Sequence, residues 1–311
     1  MYRLRMTPTG TSRRRLTRAA GAWLALSSLP ALRSLPALAP PLAITGYARC
    51  ADALMAGLPP DSPAARIEPN GLESPWTGVV AVVVGGGTYS GVVVHRRFVL
   101  TAAHVAAGHS GSDVRVQVNA GEASRVLAAA AVHVHPRYAG FTKPFAFWDA
   151  ALIELAELVP EAVPVPERYT GPLLPGTELT FVGYGASGFG DQGANLPPDP
   201  AVKRTGRNRA ERFVALDDIP LLFLYDFDGP GPDTNAMGSP TLGNAVETSA
   251  AGGDSGAPVF IVRGNYRALA GLLTFVADLN NPGVRHSTFG ASGGGVLLGP
   301  LREWLDAVVG R

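Results

Sequence analysis

The stretch G-G-D-S-G-A-P-V-F-I-V, residues 252–262, decides what kind of fold this chain adopts. A serine set among glycines sits in a tight turn, and the residues after that turn separate two architectures. Pro258 followed by the run V-F-I-V argues for a strand rather than a helix there. A strand directly after Ser255 asks for an all-β protein around it.

The rest of the chain agrees. Among 311 residues there are 38 glycines and 27 prolines, which favours short strands joined by turns. Apolar content of 46% with 16% charged residues describes a globular chain with ample core. G-V-V-A-V-V-V (78–84), three glycines and Y-S-G-V-V-V-H (89–95) read as two strands around a turn. Strands are also expected at 98–104, 114–119, 131–135 and 150–155. V-P-E-A-V-P-V-P-E-R (159–168) interrupts the pattern with three prolines and serves as a crossover. A second series runs through 178–185, 212–216, 221–225, 258–262 and 268–276. At the end, Leu301, Trp304, Leu305 and Val308 share one helical face after Pro300, so a terminal helix is expected on the second half.

A nucleophilic serine needs a base, and the base needs a carboxylate to orient it. His104 closes the strand F-V-L-T-A-A-H, and Asp149 lies between Phe147-Trp148 and the apolar A-A-L-I-E-L. The first half thus offers base and orienter, the second half Ser255. His133 and His135 alternate on a strand, and His-x-His without a third ligand reads as strand surface rather than a metal site.

T-A-A-H-V (101–105), W-D-A-A-L-I (148–153) and G-G-D-S-G-A-P-V (252–259) together resemble the three signature segments of the chymotrypsin/trypsin-like serine proteases, in that family's order. H-P-R-Y (135–138) and V-G-Y-G (182–185) are also similar to family segments, and the resemblance covers residues 67–311. It implies two packed six-stranded antiparallel β-barrels with a C-terminal helix, the first over 67–165 and the second over 166–311. It makes His104 the base, Asp149 its orienter and Ser255 the nucleophile, with the N–H groups of Gly253 and Ser255 as oxyanion hole. No cofactor or metal is implied, and the partners are protein or peptide substrates of a monomeric enzyme. Val105 stands where the family commonly has a cysteine, and one cysteine, Cys50, allows no internal disulfide.

A rival reading takes Gly253-x-Ser255-x-Ala257 as the elbow of an α/β-hydrolase, with Asp278 and His286 downstream. That elbow requires a helix after the serine, whereas Pro258 and then V-F-I-V argue for a strand. A second rival is a catalytically silent binding or adhesion module on the same barrels.

S-R-R-R-L-T (12–17) before a short apolar run (19–32) resembles a bacterial twin-arginine signal peptide over 1–39, implying export to the periplasm or beyond. Residues 40–66, rich in Pro and Ala, suit a propeptide or linker. The net charge of +1 makes no case for nucleic acid, and no apolar stretch is long enough for stable membrane insertion. In the family, cleavage frees an N-terminal Ile or Val whose ammonium pairs the aspartate before the serine. The expectation here is cleavage after Arg66 by an activating protease, pairing Ile67 with Asp254. The primary pocket is expected to use Ser249 at its base and Thr274, Phe275 and Val276 along its wall, with Thr274 near Asp149. Without an acid at 249, and with a branched residue at 276, small aliphatic P1 residues are expected. The acidic D-F-D-G-P-G-P-D (226–233) lacks regular calcium-ligand spacing and reads as a solvated loop.

Overall fold

The computed structural model describes residues 49–50, 54–121, 123–141, 145–279 and 281–310. The expected signal peptide, 1–39, lies outside the described residues. Two short strands lead in, β1 (Arg49–Cys50) and β2 (Ile67–Glu68). The first barrel follows, built from β3 (Val79–Val84), β4 (Gly87–His95), β5 (Phe98–Thr101), β6 (Val114–Ala120), β7 (Ala123–Val134) and β8 (Ala151–Leu155), with the short helix α1 (Ala103–Ala106) after β5. It closes in the order β3-β4-β5-β8-β7-β6.

The continuous valine run of β3 has a reason in this closure. Strand side chains alternate, so Val80, Val82 and Val84 point into the barrel while Val79 and Ala81 join a second core on its outer face. That outer core also holds Val182, Tyr184, Phe260, Leu272 and Phe275 from the other half of the chain. Both faces of β3 are dry, which an alternating pattern could not have achieved.

A two-residue strand, β9 (Glu167–Arg168), opens the second half, pairing in parallel with Ala268–Leu269. Next come β10 (Thr177–Gly183) and the small hairpin β11 (Ser187–Phe189) and β12 (Gly193–Leu196). The remaining strands are β13 (Lys203–Ala210), β14 (Arg212–Leu216), β15 (Ile219–Asp226), β16 (Pro258–Arg263), β17 (Tyr266–Ala277) and β18 (Ser292–Leu297). β10 pairs with β13 and β16, β16 with β17, β17 with β18, β18 with β15 and β15 with β14. β13 and β14 are two arms of one strand bent at Glu211, whose N–H donates to the Leu224 carbonyl at 2.9 Å. Counted as one, they complete a ring of six strands around Phe181, Phe223, Tyr225, Val259 and Leu273.

Sequence pattern hid β13 because its buried positions are polar. Lys203 is fully buried and its Nζ donates to the Trp76 carbonyl at 2.8 Å, and buried Asn208 donates to the carbonyls of Asp226 and Thr248 at 2.7 Å each. Each buried donor is satisfied, so a polar strand can be central. The terminal helix α2 (Leu298–Val309) buries Leu298, Leu301 and Leu305 and stops at Gly310, which is left-handed at φ 80°. It reaches the first barrel too, where Trp304 meets the His135 ring edge-on at 4.9 Å.

Residues 40–66, expected to be a propeptide or linker, are packed onto the second half over their described part. Leu54, Met55 and Ala56 are fully buried, and β1 pairs with Phe275 and Val276 of β17. Arg66 is buried against Asp61, its Nε 3.0 Å from Oδ2, and its Nη2 donates to the Glu247 carbonyl at 2.9 Å. The segment is anchored by an ion pair rather than strung between domains. Asp61→Ala leaves the Arg66 guanidinium buried without its counter-charge, so a loss of about 3–5 kcal/mol is expected in denaturant unfolding; a loss under about 1 kcal/mol would mean the pair is not structural.

Candidate active site

The register of the first barrel brings His104 and Asp149 together. Thr101, last residue of β5, is paired with Ala151, first of β8. His104 lies just past one strand end and Asp149 just before the other, so both project from the same rim. Trp148 reverses the chain into β8 with φ 59°, and the Ala150 N–H bonds back to the Trp148 carbonyl at 2.8 Å. Asp149 is fully buried, with Oδ1 accepting from the His104 backbone N–H at 2.9 Å and Oδ2 lying 2.7 Å from Nδ1. Nε2 of His104 is 2.7 Å from Oγ of Ser255. An ionised carboxylate only accepts, so Nδ1 carries the proton toward Asp149 and Nε2 is left to take one from the serine.

Ser255 reaches this rim from the second barrel. The Gly256 N–H donates to the Leu273 carbonyl at 2.8 Å, tying the turn to β17. Gly253 has φ 102°, and a Cβ there would come 2.5 Å from the Thr88 carbonyl oxygen, so no other residue fits the turn. Gly183 is needed for a different reason: a Cβ would collide with Asp254 Oδ1.

One residue of the site has no sequence signal. Ser90, fully buried in β4, donates its N–H to the Ser255 carbonyl at 3.1 Å and its Oγ to the Gly253 carbonyl at 2.9 Å. The same Oγ accepts the Tyr184 N–H at 3.0 Å. A serine within T-Y-S-G-V-V-V looks like an ordinary strand residue until the second barrel packs on it.

The expected activation pair is not brought together. Ile67 lies in β2 beside Arg204 with its N–H donated to the Ala64 carbonyl, and the Arg66 side chain is buried. Asp254, fully buried, accepts from the N–H groups of Gly185 at 3.3 Å and Ala251 at 3.4 Å. The chain that enters this neighbourhood is 54–57. The Leu54 carbonyl accepts from Ser187 Oγ at 2.8 Å, the Met55 N–H donates to Ser249 O at 2.8 Å, and Thr248 Oγ1 donates to Met55 O at 2.7 Å.

Of the expected pocket residues, Ser249, Thr274, Phe275 and Val276 are all fully buried. The Thr274 hydroxyl, expected near Asp149, is buried without a hydrogen bond. Phe275 packs against Phe145 with centroids 5.5 Å apart, and Val276 shares a buried cluster with Leu54 and Ala250. His135, expected on a strand surface, is instead 4% exposed and stacked on Trp148 at 4.8 Å. Burial pushes its pKa down to about 4, with the Arg137 charge adding to the effect. It is a neutral packing ring behind the Asp149 turn.

Residues 67–200 match the trypsin family model. The chain carries a domain of the chymotrypsin/trypsin-like serine protease family. The matched span contains His104 and Asp149 and ends before Ser255, which the second barrel supplies. No curated protein matches the chain. Among the described residues no helix is long and apolar enough to cross a membrane.

Ser90→Ala removes one hydroxyl and strands two buried backbone groups, the Tyr184 N–H and the Gly253 carbonyl. An expected loss of about 1–3 kcal/mol in denaturant unfolding should come with slower acylation of Ser255 by an active-site probe; unchanged acylation would show that Ser90 does not hold the turn.

Proposed function

We propose that the protein is an exported serine endopeptidase working through Ser255, His104 and Asp149. The observation that carries this is the unbroken hydrogen-bonded line from Asp149 Oδ2 through the His104 ring to Ser255 Oγ, 2.7 Å at each step. Ser255 Oγ attacks the scissile carbonyl as its proton passes to Nε2. Asp149 stabilises the imidazolium that results, and the N–H groups of Gly253 and Ser255 receive the oxyanion. The imidazolium then returns the proton to the leaving amine. Water, deprotonated by the same nitrogen, hydrolyses the acyl-enzyme and releases Ser255. Ser249 at the pocket base and Val276 on its wall support small aliphatic P1 residues, since neither offers a counter-charge or an open slot for a large ring. The twin-arginine-like N-terminus supports export.

A fluorophosphonate probe should label the wild type and not Ser255→Ala, before or after limited proteolysis. His104→Ala should lower peptide hydrolysis by about four to six orders of magnitude. Well-folded wild type that stays unlabelled under both conditions would favour the binding-module reading, and a P1 library preferring Arg or Phe would refute the pocket assignment.

Activation belongs at Leu54 rather than Ile67. Leu54 and Met55 bond to Ser187 and Ser249, near neighbours of the Gly185 and Ala251 amides that hold Asp254. Cleavage before Leu54 would free an ammonium in the neighbourhood of this buried carboxylate, where low dielectric strengthens the attraction between opposite charges. N-terminal sequencing of the active form should begin at Leu54; an active enzyme beginning at Ile67, or one still retaining residues ahead of Leu54, would overturn this.

A further inference from the structure

Four carboxylates meet in the second barrel, away from Ser255. Glu211 stands at the bend between β13 and β14, Asp226 ends β15, Asp228 comes two residues later, and Glu247 lies just ahead of the Thr248–Ser249 floor of the pocket. Their exposures are 5%, 0%, 2% and 1%, so all are shut off from water. The expectation of a solvated acidic loop therefore fails at its first two acids, while Asp233 is exposed as expected.

Some of their oxygens are satisfied. Asp226 Oδ2 accepts from the Met237 N–H at 2.6 Å, and Glu247 Oε2 accepts from Thr241 Oγ1 at 2.7 Å and the Leu242 N–H at 2.9 Å. Glu247 Oε1 accepts a longer bond from the Asp228 N–H at 3.4 Å. Others are poorly served: both oxygens of Asp228, Oδ1 of Asp226 and Oε2 of Glu211 are buried with no donor in good hydrogen-bond geometry, and the Glu211 and Asp226 carboxyls face each other. None of the ion pairs among the described residues involves any of the four. The nearest guanidinium on β14, Arg212, donates to the Met237 carbonyl. Buried carboxylates left this way are neutralised by protons or by a cation.

The geometry points to a cation: we propose that Asp226, Asp228 and Glu247 bind one calcium ion, with Glu211 standing behind Asp226. Ligand oxygens of Asp226, Asp228 and Glu247 all lie within 4.8 Å of one another. Calcium accepts six to eight oxygens in a flexible geometry and suits such a cluster, whereas magnesium demands a near-ideal octahedron and keeps several waters. No histidine or cysteine takes part in the cluster, so the donor set is hard oxygen throughout and disfavours zinc or copper. The ligands come from two distant stretches of the chain, which is why no local motif announces them. The ion would pin the end of β15 to the segment leading into Thr248 and Ser249, reinforcing the Asn208 bridge between Asp226 and Thr248.

Without the ion the cluster has to hold protons. Asp228 is pushed up to about 7 by burial and then by the charges of Asp226 and Glu247. Glu211 is pushed well above the usual carboxylate range by burial and then by Asp226. Folded-state pKa values raised above the unfolded ones mean stability present at low pH and lost as pH rises through the folded values. Calcium reverses this, because it binds the deprotonated form.

The test uses the full chain in its catalytically silent Ser255→Ala form, which prevents self-digestion. In chelator, the melting temperature should fall from pH 5 to pH 8. Calcium should raise it saturably by several degrees at pH 8 and much less at pH 5, and magnesium at equal concentration should do far less. Terbium, as an oxygen-seeking probe, should bind at one site and be displaced by calcium. Asp228→Asn or Glu247→Gln should weaken calcium binding at least about tenfold, while exposed Asp233→Asn should not. If a cluster variant fails to fold, terbium binding to the unaltered cluster decides alone. A melting temperature indifferent to calcium and chelator, with no terbium site, would overturn the proposal in favour of a proton-neutralised cluster.

Discussion

The site depends on one contact between two barrels. His104 and Ser255 are built on different barrels, so their 2.7 Å approach is only as good as the packing that joins the halves. Ser90 is where that packing becomes specific. Apolar contact between Val79, Val182, Phe260 and their neighbours holds the barrels together but is indifferent to small sliding. The three hydrogen bonds of Ser90, to Ser255, Gly253 and Tyr184, are not indifferent, because each is buried and costly to leave unmade.

Buried charge is handled in more than one way in this molecule. Asp149 is held in the site by two bonds from His104, and Arg66 and Asp61 neutralise each other where the N-terminal segment joins the second barrel. Lys203 takes neither route: burial pushes it down to about 8, and its amine is satisfied by a carbonyl. The acidic group around Asp228 fits none of these patterns among the described residues, and that contrast singles it out. In a protein with one cysteine, crosslinking must come from packing, ion pairs or a bound ion.

Much of the architecture was legible because strand periodicity is local. The valine runs of β3 and β4 and the apolar β16 and β17 announce themselves, and the run V-F-I-V after Pro258 favours a strand over a helix after the serine. β13 escaped because Lys203, Arg204 and Asn208 look solvent-facing until their distant carbonyl partners are known. The segment around Leu54 escaped for a similar reason: a short apolar patch among prolines gives no period, and its bonds go to Ser187, Thr248 and Ser249, far along the chain.

By itself the sequence determined the all-β class and pointed to His104, Asp149 and Ser255 as residues that meet, because strand pattern and residue chemistry are both carried in short windows. Tertiary structure alone decided that Ser90 holds the serine turn, that Thr274 is buried without a hydrogen bond, that Ile67 stays apart from Asp254, and that Asp226 and Asp228 are buried. Each of these turns on which distant segment fills a given space. That is a property of two closed barrels packed together, and no window of sequence contains it.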